Sequence, residues 1–289
     1  MTSFSDSDFS AKAYNDFRPS YNDKLYSTLI GYHAGRRHLA VDVGCGPGTA
    51  TVPLAKHFAR VIGVDPSAGM IEQARSTHRG GDGDGKVEFY VAPAEDLGLV
   101  IAQPGTVDLV AASQSAHWFK HDEWFREVGR ILRPGGTLAY FGYKDHVFLD
   151  SKLASELIVD FSYGDKYLGP YWEPGREYLR QLFSMVTPPV SLFTDIERHV
   201  YDPTKSDAYQ NIVGKSMTLA ANEEYVRTWS SFHNYKKDHA HELSRRDGGQ
   251  GDIVDRLFDK LKNVTGWVES TVLAVEWSSV IVLARRLPK

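Results

Sequence analysis

The sequence contains one cysteine among its 289 residues, so an internal disulfide framework is excluded. A chain with this cysteine content fits a reducing compartment. No run of apolar residues is long enough to span a bilayer. The Ser- and Asp-rich N-terminus has no apolar segment of the signal-peptide type. Together these absences predict a cytoplasmic protein without a membrane partner.

Concentrated positive charge is also missing. Acidic and basic residues are interspersed, and the formal net charge is −4. Nucleic-acid binding depends on clustered Lys and Arg side chains that neutralise phosphates, so no nucleic-acid partner is predicted. No His, Asp and Glu residues recur at a metal-ligand spacing, so no metal site is predicted. A hydrophobic content of 42% over this length is enough for one large domain.

The chain is organised around residues 39–51, where an apolar run containing Asp42 leads into closely spaced glycines. Gly44, Gly46 and Gly48 occupy alternate positions, and a helical pattern follows them. Glycine has no Cβ, so such a backbone turns sharply and lets a ligand approach closely. The free amides at the start of the helix can face a polar or anionic group. The pattern predicts a strand, a ligand-binding turn and a helix.

A second apolar strand ends in Asp65, about 20 residues beyond the glycine turn, where an acidic side chain meets a ribose diol in adenosine-binding βαβ units. The third glycine of the dinucleotide fingerprint would fall at Thr49, which weakens the prediction of a dinucleotide site. The order of turn, acidic residue and later strands favours an adenosine-containing cofactor.

Strand and helix patterns alternate through the first half of the chain, which is typical of a mostly parallel sheet with right-handed crossovers. Strands are predicted at 39–43, 60–64, 86–91, 107–112 and 136–142, and helices at 49–58, 67–78 and 121–132. Further on, 191–200 and 276–285 have strand patterns. Helical patterns cover 151–163, 205–219, 222–235 and 253–261.

The predicted fourth strand ends just before His117 and Trp118. Ligands of open α/β sheets bind beyond the carboxyl ends of the strands, so both side chains are expected at the mouth of the site. Two roles for His117 stay open: a general base or substrate-orienting group, and a hydrogen-bonded structural histidine that starts the next helix. Tyr171 and Trp172 lie in a Gly- and Pro-rich loop that either closes the pocket or packs on the domain.

Arg227 lies among apolar and aromatic residues in a helical pattern. Its planar fork is suited to a substrate carboxylate, and the alternative is a solvated helix charge. The aromatic-rich segment before residue 23 contains Tyr14 and Arg18. This segment is interpreted either as a lid over the cofactor or as a helix that covers the sheet.

Four stretches resemble motifs of the class I S-adenosylmethionine (SAM) dependent methyltransferases. Residues 41–49 resemble motif I, 65–70 the acidic loop after strand two, 94–96 the adenine-edge loop, and 132–137 the turn before strand five. The resemblance implies a Rossmann-like, mostly parallel seven-stranded sheet with an antiparallel last strand and helices on both faces. It also implies SAM as cofactor, bound by Tyr14, Arg18, Asp42, Gly44, Gly46, Gly48, Asp65, Pro66, Met70, Ala94, Glu95, Asp96, Ser113 and Gln114.

Outside this core, residues 17–21, 117–118, 169–172 and 225–229 are similar to the fungal trans-aconitate methyltransferase group. The similarity implies one domain over 1–289, with a lid or helix at 1–35 and a SAM-binding core at 36–143. Helical and aromatic cap insertions are then expected at 144–189 and 202–266, and closing strands at 190–201 and 271–286. It implies that a small acceptor is bound by Trp118, Tyr143, Tyr171, Trp172, Arg227 and Trp229.

Methylation of a carboxylate needs positioning more than acid–base chemistry, because the nucleophile is already ionised near neutral pH. The predicted function is therefore O-methylation of a small carboxylic acid. The alternatives are O-, N- or C-methylation in a fungal secondary-metabolite pathway with His117 as base, a nicotinamide-dependent oxidoreductase, and a SAM-binding protein without turnover. The oligomeric state is left open.

Overall fold

The computed structural model describes residues 18–78, 86–205 and 211–288. The strands are β1 Leu39–Val43, β2 Arg60–Asp65, β3 Val87–Val91, β4 Val107–Ser113, β5 Leu132–Phe148, β6 Phe193–Tyr201, β7 Gly214–Thr218 and β8 Val272–Arg286. The α-helices are α1 Asp23–Tyr32, α2 Thr51–Leu54, α3 Ala68–Thr77, α4 His121–Ile131, α5 Lys152–Tyr163, α6 Arg176–Arg180, α7 Leu219–Arg227, α8 Ser230–Asp238 and α9 Ile253–Thr265. Short 3₁₀ turns occur at Leu97–Leu99, Ala116–Trp118, Gly169–Tyr171 and Arg245–Asp247.

The chain forms two compact units. The larger contains Ser20–Lys144, Glu177–Tyr201 and the residues from Ser279 onward. The smaller contains Asp145–Arg176 and Asp202–Ser278, together with the described residues up to Pro19. The predicted subdivision into one domain with a lid, a core and cap insertions stays a prediction.

The sheet of the larger unit has the strand order β3-β2-β1-β4-β5-β8-β6. β1 pairs in parallel with β2 on one side and β4 on the other, and β4 pairs in parallel with β5. β1 and β4 are almost wholly buried, as expected for strands that are covered on both faces. The strand order reverses at β1, so the β1–β4 carboxyl edge is the position where ligands of such sheets bind.

The fold class predicted from the sequence is confirmed. β6 runs antiparallel to β8, with Val200 opposite Val280 and Glu197 opposite Leu283. β5 is longer than the predicted 136–142, and β8 forms one continuous strand. The helix predicted at 49–58 is shorter, because only Thr51–Leu54 keeps α-helical bonding.

Aromatic rings form much of the core of the larger unit. Trp124 of α4 lies 4.8 Å from Phe125 and 5.6 Å from Tyr140 of β5, as measured between ring centroids. The Tyr140 hydroxyl donates to the Val186 carbonyl at 2.5 Å, which satisfies its one polar group. These bulky rings fix the distance between α4 and the strands that end at the candidate site.

At the opposite, amino edge of the sheet, the buried carboxylate of Asp108 connects three segments. It accepts hydrogen bonds from Arg36 Nε at 2.8 Å and Arg133 Nε at 2.7 Å. It also accepts from the backbone amides of His38 and Leu39, at 2.9 and 3.0 Å. The start of β1 is thereby tied to β4 and β5.

In the smaller unit, β7 pairs antiparallel with the first part of β8, Gly214 facing Glu276 and Thr218 facing Val272. The helix predicted at 205–219 is wrong over 211–218, where residues 211–213 have no regular structure and 214–218 form a strand. In that strand each residue pairs with a residue of β8, and Met217 alone of the five is buried. α7 begins only at Leu219, where the Thr218 side chain caps it by accepting from Ala221 N at 3.1 Å. Residues 206–210 lie outside the described part of the chain.

The single helix predicted at 222–235 is two helices, α7 and α8, which are separated at Thr228 and Trp229. The Thr228 hydroxyl donates to the Tyr225 carbonyl at 2.6 Å and helps to end α7. Asp252 begins α9 with a capping box that is completed by Asp255. Within the described ranges, no helix has both the length and the apolar character that a bilayer crossing requires.

Candidate cofactor and acceptor sites

The glycine turn lies at the carboxyl end of β1 in the larger unit. Gly44 has φ +66° and Gly46 φ +53°, both in the left-handed region. A Cβ on Gly44 would lie 2.5 Å from Ser115 Cβ, so this glycine is required by close packing. A Cβ on Gly46 would meet no heavy atom within 4 Å. The turn therefore has a packed side at Gly44 and an open side at Gly46.

Asp65, at the end of β2, holds two loops by their backbones. Its Oδ2 accepts from Gly46 N and its Oδ1 from Ser67 N, each at 2.9 Å. Burial raises the pKa of this carboxyl, and the two amide hydrogen bonds oppose that shift. A carboxylate oxygen has more than one lone pair, so both oxygens can still accept from ligand hydroxyls.

Asp42 is wholly buried beneath the turn, and its Oδ2 accepts from Thr51 Oγ1 at 2.6 Å. Burial raises its pKa to about 7, with the Thr51 hydrogen bond opposing that shift and the nearby Asp65 charge adding to it. Its other oxygen has no hydrogen-bond partner among the described residues. Asp42 thus connects β1 to the start of α2 from inside the protein.

The predicted adenine-edge loop follows β3. Ala94 is buried, Glu95 half-buried and Asp96 exposed. Glu95 Oε1 accepts from Lys120 N at 2.8 Å, at the residue that caps α4. After β2, Pro66 is exposed and Met70 is buried at the start of α3. These residues lie in loops at the carboxyl ends of the strands, the edge predicted for the cofactor.

Gln114 follows Ser113, the last residue of β4, and has φ +50°, a strained value for a residue with a Cβ. Its side-chain amide spans the backbone of Tyr143 on β5, accepting from Tyr143 N at 2.8 Å and donating to Tyr143 O at 2.9 Å. The predicted cofactor residue Gln114 and the predicted substrate residue Tyr143 are thus brought together.

His117 and Trp118 form the 3₁₀ turn after β4, with their ring centroids 4.3 Å apart. His117 is buried, whereas Trp118 is half-buried. Both residues follow the carboxyl end of β4 directly, and a role for His117 toward a ligand stays a prediction.

The turn fits a nucleoside-containing cofactor such as SAM. The open side of Gly46 leaves room for close approach, and Asp65 presents a fixed carboxylate beside it. In the described part of the chain, no group of three or more His, Cys, Asp or Glu side chains is placed to hold a metal ion.

Arg18, Tyr171, Trp172, Arg227 and Trp229 belong to the smaller unit. The Arg18 guanidinium lies 5.5 Å from the Tyr225 ring centroid and donates to the Thr228 carbonyl at 3.1 Å. Tyr14 lies outside the described residues. Tyr171 contacts Tyr235 at 5.1 Å between ring centroids, and its carbonyl accepts from Asn234 at 3.1 Å.

The prediction that Arg227 holds an acceptor carboxylate needs correction. Its guanidinium bonds to Asp252 at 2.6 Å, to Glu223 at 2.7 and 3.1 Å, and to Asp255 at 3.1 Å. The Arg227 side chain is only 5% exposed. Because Nε and both terminal nitrogens already donate to carboxylates, Arg227 anchors α7 to α9. The alternative of a solvated helix charge is also excluded by this burial.

Predicted substrate residues Trp172 and Trp229 do meet, at 5.9 Å between ring centroids. Trp229 lies in turn 5.9 Å from Tyr225, and Trp172 lies 6.3 Å from Tyr163. We call Tyr163, Trp172, Tyr225 and Trp229 the aromatic cluster.

Sequence reasoning missed Arg176, which lies over Trp172 of the aromatic cluster at 4.4 Å from the ring centroid and bonds to Asp145 at 2.9 Å. Asp145 and Arg176 are far apart in sequence, so local patterns do not predict their contact. The one sequence signal is that these two oppositely charged residues flank an aromatic-rich stretch.

His146 is a further polar residue against the aromatic cluster that sequence reasoning missed. Its ring lies 5.5 Å from Tyr225 and 6.1 Å from Trp229. Burial lowers its pKa to about 4, although the Asp145 charge and the Asn222 hydrogen bond oppose that shift. The imidazole is therefore neutral near neutral pH.

A family model described as "Methyltransferase domain" matches residues 40–136, which include the glycine turn, Asp65 and the end of β4. A "Probable S-adenosylmethionine-dependent methyltransferase" of Saccharomyces cerevisiae is 30% identical over 302 residues, covering 99% of this chain and 98% of the relative. A "Putative methyltransferase" of Dictyostelium discoideum is 32% identical, covering 96% of this chain and 93% of the relative.

A solved structure from Anaeromyxobacter dehalogenans, described as a "Putative Type II Methyltransferase", is similar in fold. It superposes with a TM-score of 0.69 at 27% sequence identity, covering 94% of this chain and all of that one. The similarity to this structure and to the two sequence relatives extends through both units.

Proposed function

The chain belongs to the SAM-dependent methyltransferases, and from that premise we propose that it methylates a carboxylate oxygen of a small carboxylic acid of the trans-aconitate kind. SAM is the cofactor, and when bound it supplies an electrophilic methyl group on a sulfonium.

In this proposal the larger unit holds SAM at the edge where β1, β2 and β4 end. The turn leaves open space at Gly46, and Asp65, which already accepts from Gly46 N, would accept hydrogen bonds from the ribose hydroxyls. Gln114 fixes the ends of β4 and β5 through the Tyr143 backbone, so the floor of the site is rigid. Rigid positioning is what a methyl transfer to an already ionised nucleophile requires.

One observation carries the choice of a carboxylic acid. Two guanidinium groups lie against the aromatic cluster: Arg18 over Tyr225 at 5.5 Å and Arg176 over Trp172 at 4.4 Å. Arginine forks match the planar geometry of carboxylates, and aromatic faces suit a small unsaturated carbon skeleton. This combination supports an acidic acceptor.

The test is a screen of small mono-, di- and tricarboxylic acids, trans-aconitate among them, with SAM labelled in its methyl group. A methyl ester releases volatile labelled methanol in mild alkali, whereas methyl ethers, N-methyl and C-methyl products retain the label. Alkali-labile product from an acid supports the proposal. Labelled product that resists alkali, or turnover restricted to neutral acceptors, contradicts it.

His117 gives an independent check on the chemistry. A carboxylate acceptor needs no base, so His117→Ala is expected to lower kcat by less than about tenfold, because general-base catalysis typically contributes about 10²–10⁴-fold. SAM affinity and thermal unfolding serve as controls for folding. A loss of several orders of magnitude with both controls unchanged would point to an acceptor that must be deprotonated.

A further inference from the structure

The Arg176 guanidinium is held by two partners in the smaller unit. Nη2 donates to Asp145 Oδ1 at 2.9 Å and to the Tyr163 hydroxyl at 3.0 Å, and Nε reaches the same hydroxyl at 3.2 Å. The Tyr163 hydroxyl in turn donates to Asp145 at 2.8 Å. Because the three groups bond to one another, the plane of the guanidinium is fixed.

Trp172 provides a surface beneath this triangle. The Arg176 guanidinium carbon lies 4.4 Å from the centroid of the Trp172 ring, within the range of a cation–π contact. Trp172 is itself fixed, since its indole nitrogen donates to the Ser162 carbonyl at 2.6 Å. A fixed cation over a fixed ring has little conformational entropy left to lose when a ligand binds.

One nitrogen of this arginine is left over. Nη1 of Arg176 makes no hydrogen bond with any described residue, and the Arg176 side chain is 12% exposed to solvent. Arg227 differs, since its Nε, Nη1 and Nη2 all donate to carboxylates and it is 5% exposed. Of these two buried arginines, only Arg176 has a terminal nitrogen that makes no hydrogen bond with a described residue.

We propose that Arg176 is the residue that selects a carboxylate on the acceptor, through Nη1, and that Asp145 and Tyr163 are positioning residues that aim its guanidinium. This inference rests on the proposed function, because it assigns the recognition group for the same acceptor. Lysine is not equivalent to the arginine here, since its compact ammonium lacks the planar fork that bonds to Asp145 and Tyr163 through Nε and Nη2 and leaves Nη1 as a separate donor. The triangle therefore sets specificity for acids over neutral molecules of the same shape.

The experiment measures the preference for acid over amide. The probe is the acid methylated most efficiently in the screen, and its carboxamide is tested as a competitive inhibitor or an acceptor. The variants are Arg176→Lys and Tyr163→Phe. Arg245→Lys is the matched control, because Arg245 lies in the same unit in an exposed ion pair with Asp259.

For Arg176→Lys we expect KM for the acid to rise about tenfold to a hundredfold, as for the loss of one charge-assisted hydrogen bond. The inhibition constant or KM of the carboxamide should change little, so the acid-to-amide preference should fall by a similar factor. Tyr163→Phe should lower the preference by a smaller factor, because the charge stays but its aim is lost. SAM affinity should not change in either variant, and Arg245→Lys should behave as wild type.

The possible results separate the two proposals. An unchanged acid-to-amide preference in both variants, with acid methylation intact in the wild type, overturns the role of Arg176 and leaves the proposed function standing. If the wild type methylates none of the acids, the proposed function and this inference fall together. If Arg176→Lys does not fold, Tyr163→Phe alone decides, because it retains the Arg176–Asp145 ion pair.

Discussion

Replacing Gly44 by alanine should test the packed side of the cofactor turn, and Gly46→Ala is its matched control. Both glycines have positive φ, so either substitution costs roughly 1–2 kcal/mol of left-handed backbone strain. At Gly44 the new Cβ would also lie 2.5 Å from Ser115 Cβ and 2.8 Å from its Oγ. Relieving such overpacking typically costs about 1–3 kcal/mol more.

The expected loss of unfolding free energy is therefore about 2–5 kcal/mol for Gly44→Ala and about 1–2 kcal/mol for Gly46→Ala. Urea denaturation with a check on the m-value measures both. The Gly46 variant should instead weaken SAM binding, because its methyl group projects into the open side of the turn. Stability and cofactor affinity are thus expected to respond at different glycines.

A double-mutant cycle with Ser115→Gly separates strain from overpacking. Removing the Ser115 side chain should restore about 1–3 kcal/mol to Gly44→Ala, measured against Ser115→Gly alone, and nothing to Gly46→Ala. The comparison is made with Ser115→Gly alone because Ser115 Oγ also donates to the Val43 carbonyl at 2.8 Å, and losing this bond destabilises the protein by itself. Equal destabilisation by the two alanine substitutions, or no rescue by Ser115→Gly, would refute this explanation of the turn.

Three further predictions concern buried charge. Asp108→Asn should lower the unfolding free energy by about 1.5–3 kcal/mol, the typical contribution of hydrogen bonds to a charged group, since Arg36 and Arg133 lose their carboxylate but keep some solvent contact. Burial raises the pKa of Asp108, yet the hydrogen bonds from the Leu39 amide and both arginines bring this pKa below its ordinary 3.8. The stability that the ionised Asp108 contributes is therefore fully present above pH 3.8 and is lost as the pH falls through the lower pKa of the folded state. Urea titrations across the acid range should therefore show a shallower acid limb in the variant. His146 has a pKa of about 4 in the folded chain against the ordinary 6.5, so the unfolded state takes up the proton first and the contribution of His146 to stability should fall by roughly 3 kcal/mol as the pH drops between those values. This contribution is measured as the difference in unfolding free energy between the wild type and His146→Phe, because the buried Asp42 carboxyl, with a pKa of about 7, acts in the opposite direction over the same range in both proteins. A difference that does not change with pH would contradict the assignment. Arg227→Met should cost about 3–5 kcal/mol by leaving Asp252 and Asp255 unpaired; adding Asp252→Asn should recover part of that loss if the ion pairs are its cause.

The larger unit was predictable because local patterns dictate it. The apolar run before Gly44 is typical of a buried strand, and left-handed turns favour glycine. Asp65 was found for the same reason, because its distance from the turn along the chain determines its place in the sheet. Sequence spacing and spatial position coincide wherever strand and helix alternate.

The smaller unit was less predictable, because its contacts join residues far apart in sequence. The neighbours of Arg227 along its helix suggested either a residue that binds a substrate carboxylate or a solvated charge. In the structure, Asp252 at the start of α9 and Asp255 within it accept hydrogen bonds from its guanidinium. The segment 214–218 becomes a strand only because β8 offers it a partner. Periodicity does not contain such information, since tertiary pairing overrides local preference.

The lone cysteine, Cys45, lies in the cofactor turn, where its reactivity reports on the opening of that turn. Cys45 is 6% exposed, its amide donates to the Val64 carbonyl at 3.0 Å, and burial raises the pKa of its thiol well above the ordinary range. Thiol reagents react with the thiolate, so modification has to wait for a transient opening of the turn. The rate at which a thiol reagent labels Cys45 therefore measures how often the turn opens, and no introduced probe is needed. The decrease in that rate when SAM is added measures how far SAM slows the opening.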